Sequence, residues 1–218
     1  MGAHGDAADG EALAQLVLEI CDKMKLDRPF LLAHSLGCQV AMNIGVAAPA
    51  RIGGMALLNP VPCLGKPHRM IRPYWFVRFG GWLNDLLDRS PTRKVWRSSL
   101  RLLWILWGFT NRISGEEVAH GQRRLKYVDF WAQPQRSARL KEAKVPTLVC
   151  WAKDDPMIEE EMLHELSQSL PGGPRLVFAT GGHFINKHQA GPIAAAVVDF
   201  IALNDMKHAA AGGDGHCL

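Results

Sequence analysis

Ser35, Asp155 and His183 are the three residue types that together make a hydroxyl group nucleophilic, and each follows a short apolar run. A serine hydroxyl attacks a carbonyl poorly until a neighbouring imidazole can take its proton, and a carboxylate must hold that ring in the right tautomer. Ser35 lies in Ala33-His34-Ser35-Leu36-Gly37, between the apolar run Pro29–Leu32 and a helix-like segment from Cys38 to Ile44. A strand that turns sharply into a helix there, with small residues two before and two after the serine, projects the hydroxyl at the tip; Ala33 and Gly37 supply those residues. His34 then shapes the elbow, and the amide of Leu36, at a helix N-terminus, is placed to donate to a developing oxyanion. Asp155 follows the strand-like run Val145–Trp151 and precedes Pro156, with Asp154 in reserve. His183 follows the run Pro174–Ala179 through Thr180-Gly181-Gly182, with His188 as a rival base. Taken singly these are a helix N-cap, a turn and a glycine loop. Taken together, each at the C-terminal tip of a strand-like run, they are candidates for a triad.

That arrangement resembles the α/β-hydrolase family, whose G-x-S-x-G elbow is followed in chain order by an acid and a histidine; Ala33 stands where the first glycine would be. The resemblance implies an α/β fold, a parallel sheet flanked by helices with a helical lid inserted. In that family four of eight strands precede the elbow, so this chain is expected to keep the nucleophile strand and the three after it. The sheet would be N-terminally incomplete, as in a partial gene model, splice form or degenerate copy, with an open edge. The loop that lends the second oxyanion amide would be missing, a loss of about a hundred- to a thousandfold in rate. The activity implied is hydrolysis of an ester or similar carbonyl through an acyl-enzyme. Serine rather than aspartate at position 35 argues against the alkyl chemistry of epoxide hydrolases and haloalkane dehalogenases, while carbon-carbon bond hydrolases and cofactor-free haloperoxidases share the serine triad. The alternative is a non-catalytic remnant serving as an interaction module. No cofactor is expected, and no His, Cys, Asp and Glu cluster has metal-ligand spacing.

The elements that must position these residues divide the chain into a core part at 1–59, a lid at 60–140, a second core part at 141–208 and a disordered tail at 209–218. Asp9 can cap a first helix in which Leu13, Leu16, Val17, Ile20 and Met24 recur at helical spacing, ending near Lys25–Asp27. Ile52–Asn59 reads as a further strand, and a closing helix runs from about Gln189 to Leu203. Residues 60–140 hold fifteen Lys and Arg against five Asp and Glu, and six of the seven tryptophans, although the whole chain carries only +4. Within them Ser90-Pro91 marks a helix with Trp96, Leu100, Leu103, Trp104 and Trp107 on one face and Arg93, Arg97 and Arg101 on another. Ser114 and Glu117 form a capping box opening a second helix to Trp131. This basic, tryptophan-rich region is read as packing and solvated charge, as a lid receiving an anionic or amphipathic ester, or as a surface that touches membranes. No nucleic-acid partner is expected, and the oligomeric state is open. Five scattered cysteines, an odd number, point to a reducing compartment rather than a disulfide framework, and with no signal-peptide pattern a cytoplasmic location is expected.

Overall fold

The structure, a computed structural model, describes residues 10–61, 74–106, 109–125 and 133–213. Asp9, Trp107, Trp131, Cys63, Cys217 and the prolines at 62, 67 and 73 lie outside the described residues. Four strands, β1 (Phe30–His34), β2 (Gly54–Leu58), β3 (Thr147–Ala152) and β4 (Arg175–Phe178), form one parallel sheet in the order β1-β2-β3-β4. The register pairs His34 with Leu58, Leu58 with Cys150 and Ala152 with Phe178, so the C-terminal ends line up along one rim.

Every residue of β2 and β3 is buried, which is why both read as unbroken apolar runs. Alternate side chains serve opposite faces. Met55, Leu57, Val149 and Trp151 pack with helices α1 (Gly10–Lys23), α2 (Gly37–Ala47), α6 (Gln133–Glu142) and α7 (Glu160–Ser169). Ala56, Leu58, Leu148, Cys150 and Ala152 pack with Ile185 of α8 (Ile185–His188) and with Ile193 and Phe200 of α9 (Ala190–Gly213). β1 ends the strand order among the described residues, and its Leu32 is 60 % exposed.

The first helix departs from the pattern read in its sequence. It buries Ala14, Leu18 and Cys21 against α2, whereas Leu16, Ile20 and Met24 are 48, 45 and 63 % exposed. The chain carries two apolar stripes there, and the one with the small residue faces the neighbouring helix. The helix also stops earlier, at Lys23, in a Schellman motif: the N–H of Leu26 donates to the Cys21 carbonyl, that of Lys25 to Asp22, and Lys25 has φ 55°. At the other end α8 and α9 are separate, and α9 continues through the alanines at 209–211 to Gly213, into the stretch read as tail. Alanine is the strongest helix former.

The second compact unit, centred on residues 71–128, contains α3 (Tyr74–Asp88), α4 (Arg93–Leu106) and α5 (Gly115–Leu125). α4 starts at Arg93 because Ser90-Pro91-Thr92 forms a turn, the Ser90 hydroxyl donating to the Leu87 carbonyl. The capping box is present: the Ser114 N–H donates to Glu117 Oε2 at 2.7 Å and the Glu117 N–H to Ser114 Oγ at 3.1 Å. Fully buried Asn84 joins the three helices, accepting from Trp96 Nε1 and donating to the Ala119 carbonyl, both at 3.1 Å. Arg97 is paired with Asp88 and Arg123 with Asp85, while Arg101 donates to the carbonyls of Ile113 and Asn111, so three guanidinium groups are committed within the unit. Leu100 is buried, but Leu103 is exposed. Among the described residues no helix is long and apolar enough to cross a membrane.

Candidate active site

β1 delivers Ser35 one residue past its end, where the chain must reverse into α2. Ser35 has φ 52°, the left-handed region that costs an L-residue about 1–2 kcal/mol. The strain is held by the Ser35 N–H, which donates to the Leu58 carbonyl at 2.9 Å and so bonds the elbow to β2. Ser35 is not an N-cap: α2 is capped by Leu36 in helical conformation with no side-chain bond. A Cβ built on Gly37 would meet nothing within 4 Å, so the crowding inferred for that position is not exerted by the described residues. The backbone difficulty sits in the serine itself.

Ser35 Oγ lies 2.9 Å from His183 Nε2, and His183 Nδ1 lies 2.8 Å from Asp155 Oδ2. Asp155 and His183 are both buried. The second carboxylate oxygen of Asp155 accepts the N–H groups of Met157 at 2.7 Å and Ile158 at 3.2 Å, so the turn signal and the acid are one residue doing both. The three side chains, from the ends of β1, β3 and β4, form a continuous chain from hydroxyl to carboxylate. Their order of contact allows His183 to take the Ser35 proton at Nε2 while Asp155 fixes the Nδ1 proton. The Leu36 N–H has no hydrogen-bond partner among the described residues and sits at the N-terminus of α2, where the helix dipole favours negative charge.

His34 does not reach a reacting atom. Its Nε2 donates to the His183 carbonyl at 2.6 Å, and burial pushes its pKa below the ordinary 6.5, with that hydrogen bond opposing. The His34 and His183 ring centroids lie 5.0 Å apart. Asp154, the reserve acid, takes a different part: its carboxylate accepts the N–H groups of Gly182 at 2.8 Å and Gly181 at 3.3 Å, bracing the loop that carries His183. His188 is exposed at the end of α8. Asn59, read only as the end of a strand, turns out to be a buried member of this region. A polar residue closing an apolar run at a strand tip was the signal that could have drawn attention to it.

Cys21, Cys38 and Cys150 are buried free thiols. Cys38 sits under the elbow with its Sγ directed at the carbonyls of Ala33 and Leu58, and burial drives its pKa far up; that of Cys150 is pushed up to about 12 by burial. Both are therefore inert as nucleophiles. No group of three or more His, Cys, Asp and Glu that could hold a metal occurs among the described residues.

The sequence model described as the alpha/beta hydrolase family matches residues 2–196. The 2-hydroxy-6-oxo-6-phenylhexa-2,4-dienoate hydrolase of Comamonas testosteroni is 26 % identical over 210 residues, covering 90 % of this chain and 70 % of the relative. Among solved structures, the enol-lactonase from Burkholderia xenovorans superposes with TM-score 0.61 at 22 % identity, covering 89 % of this chain and 73 % of that one. The haloalkane dehalogenase DbeA from Bradyrhizobium elkani superposes with TM-score 0.70 at 13 % identity, covering 94 % and 78 %.

Proposed function

Because this chain belongs to the α/β-hydrolase family, we propose that it is a serine hydrolase in which Ser35 attacks an ester or similar carbonyl, His183 is the base and Asp155 orients it. The observation that carries the reading is the unbroken contact from Ser35 Oγ to His183 Nε2 and from Nδ1 to Asp155, at 2.9 and 2.8 Å. In the first half-reaction Oγ bonds to the carbonyl carbon, its proton passes to His183 Nε2, and the oxyanion faces the Leu36 N–H. The imidazolium then protonates the leaving group as the tetrahedral intermediate collapses to an acyl-serine. Water, deprotonated by the same imidazole, releases the acid and restores Ser35. An amphipathic or anionic ester is the substrate class suggested by the basic, tryptophan-rich composition of residues 60–140.

A fluorophosphonate probe should label the protein at Ser35, and Ser35→Ala should abolish labelling while the fold is kept. Well-folded protein that stays unlabelled would leave the non-catalytic alternative. The likeness to the Comamonas testosteroni hydrolase favours a second substrate class, a 2-hydroxy-6-oxo-dienoate, which the same triad could serve. Parallel assays with p-nitrophenyl esters and with 2-hydroxy-6-oxo-6-phenylhexa-2,4-dienoate separate the two.

A further inference from the structure

The loop that presents His183 is inherently loose, since Gly181 and Gly182 take φ values of 151° and 58° and carry no side chain to pack. Something outside the loop must fix it if the imidazole is to hold its place between Ser35 and Asp155. Asn59, the residue after β2, is fully buried, and its side chain reaches across the strand tips. Its Nδ2 donates to the Gly182 carbonyl at 2.9 Å and to the His183 carbonyl at 3.0 Å. Its Oδ1 accepts the Ala152 N–H, at the last residue of β3, at 3.1 Å. One amide thus joins the end of the strand leading to the acid with the main chain of the base. Its own N–H donates to the Cys150 carbonyl at 2.8 Å, which anchors the bridge at its root.

We propose that Asn59 is a positioning residue for His183, setting the distance and angle at which the base meets Ser35 and Asp155; the proposal rests on the reading of Ser35 as the nucleophile. The group it must satisfy is two carbonyls and one N–H, and an amide offers two donors and one acceptor. Aspartate has the same shape but would turn carboxylate lone pairs on both carbonyls. The backbone agrees with the choice: Asn59 has φ 39°, a left-handed conformation that asparagine tolerates better than most residues. Asn59→Gly accordingly deletes the bridge without adding backbone strain, and Asn59→Asp keeps the volume while reversing the polarity.

The test compares the full chain with these two variants in fluorophosphonate labelling, recording rate constant and labelled fraction separately. A second readout is the far-downfield NMR signal of the proton between His183 Nδ1 and Asp155. A 1 Å misplacement of a reacting group can slow a reaction by about a hundredfold, so both variants should label about 10- to 100-fold more slowly at an undiminished labelled fraction. The Nδ1 proton signal should be lost or shifted in both. A rate within twofold of wild type, or a smaller labelled fraction reacting at the wild-type rate, would mean that Asn59 only stabilises the fold, and would overturn the proposal while leaving the nucleophile reading intact. Wild-type protein that resists labelling removes the nucleophile reading, and the proposal with it. An Nδ1 signal unchanged in Asn59→Gly overturns the positioning role by itself.

Discussion

Asp155→Asn tests the site most sharply, because the surroundings of the carboxylate dictate how the new amide must sit. Oδ1 of Asp155 accepts two backbone N–H groups, from Met157 and Ile158, and Oδ2 faces His183 Nδ1. An asparagine must keep its carbonyl oxygen towards the two N–H groups, since the opposite orientation would set donors against donors in a buried place. Its NH2 then faces Nδ1 and demands an acceptor there. The imidazole answers by moving its proton to Nε2, the nitrogen 2.9 Å from Ser35 Oγ, and the base has lost the lone pair it needs. Where this tautomer change has been isolated in serine hydrolysis it lowers turnover about ten-thousandfold, equivalent to roughly 5 kcal/mol of barrier. Asp155→Asn should therefore label with fluorophosphonate, and turn over p-nitrophenyl acetate, about four orders of magnitude more slowly, with a melting temperature close to wild type because the shape and the two backbone bonds are kept. Asp154→Asn touches the loop and not the ring, and should slow labelling much less. An Asp155→Asn protein that labels within tenfold of wild type would refute the assignment of the acid.

Two further outcomes follow from the strain and the charge pairs. Ser35→Gly should be more stable than Ser35→Ala by about 1 kcal/mol in urea unfolding, since both lack Oγ and only glycine is at ease at φ 52°; equal stabilities would show that the elbow is not strained. In the helical unit, the Asp88 carboxyl is held below its usual range by hydrogen bonds from Arg97 at 2.5 and 3.1 Å and then by the charges of Arg97 and Arg123, with burial opposing. A carboxyl with a lowered folded pKa stabilises the fold above its ordinary value of 3.8 and loses that contribution as the pH falls through the folded value. The urea midpoints of wild type and Asp88→Asn should thus differ most near neutrality and converge below about pH 4; a constant gap would place the effect elsewhere.

The candidate triad was legible because each member follows a short apolar run: β3, before Asp155, is buried throughout and reads as a continuous apolar stretch, small residues flank Ser35 after β1, and proline or glycine marks the turn after β3 and β4. What was not legible depends on long-range packing. The two apolar stripes of α1 are equivalent in a periodicity argument, and only α2 decides that Ala14, Leu18 and Cys21 face inward. Arg97, Arg101 and Arg123 are indistinguishable from solvated charge in the sequence until Asp85, Asp88 and the carbonyls of Asn111 and Ile113 are seen to receive them. The contact of Asn59 with residues 182 and 183 spans more than half the chain, and the polar residue at the end of an apolar run marks the position but not its partners.

Of these contacts, that of Asn59 bears on how the legible residues meet. β2 contributes no member of the proposed triad, yet its Leu58 carbonyl holds the Ser35 N–H, and Asn59, the residue after it, bonds Ala152 at the end of β3 and the main chain of His183. Ser35, Asp155 and His183 each stand outside the strands, on a left-handed serine, an Asx turn and a glycine loop. β2 is buried along its whole length and bonded on both edges, to β1 and to β3, so in the proposed reaction the spacing of nucleophile and base rests in part on a strand that supplies neither.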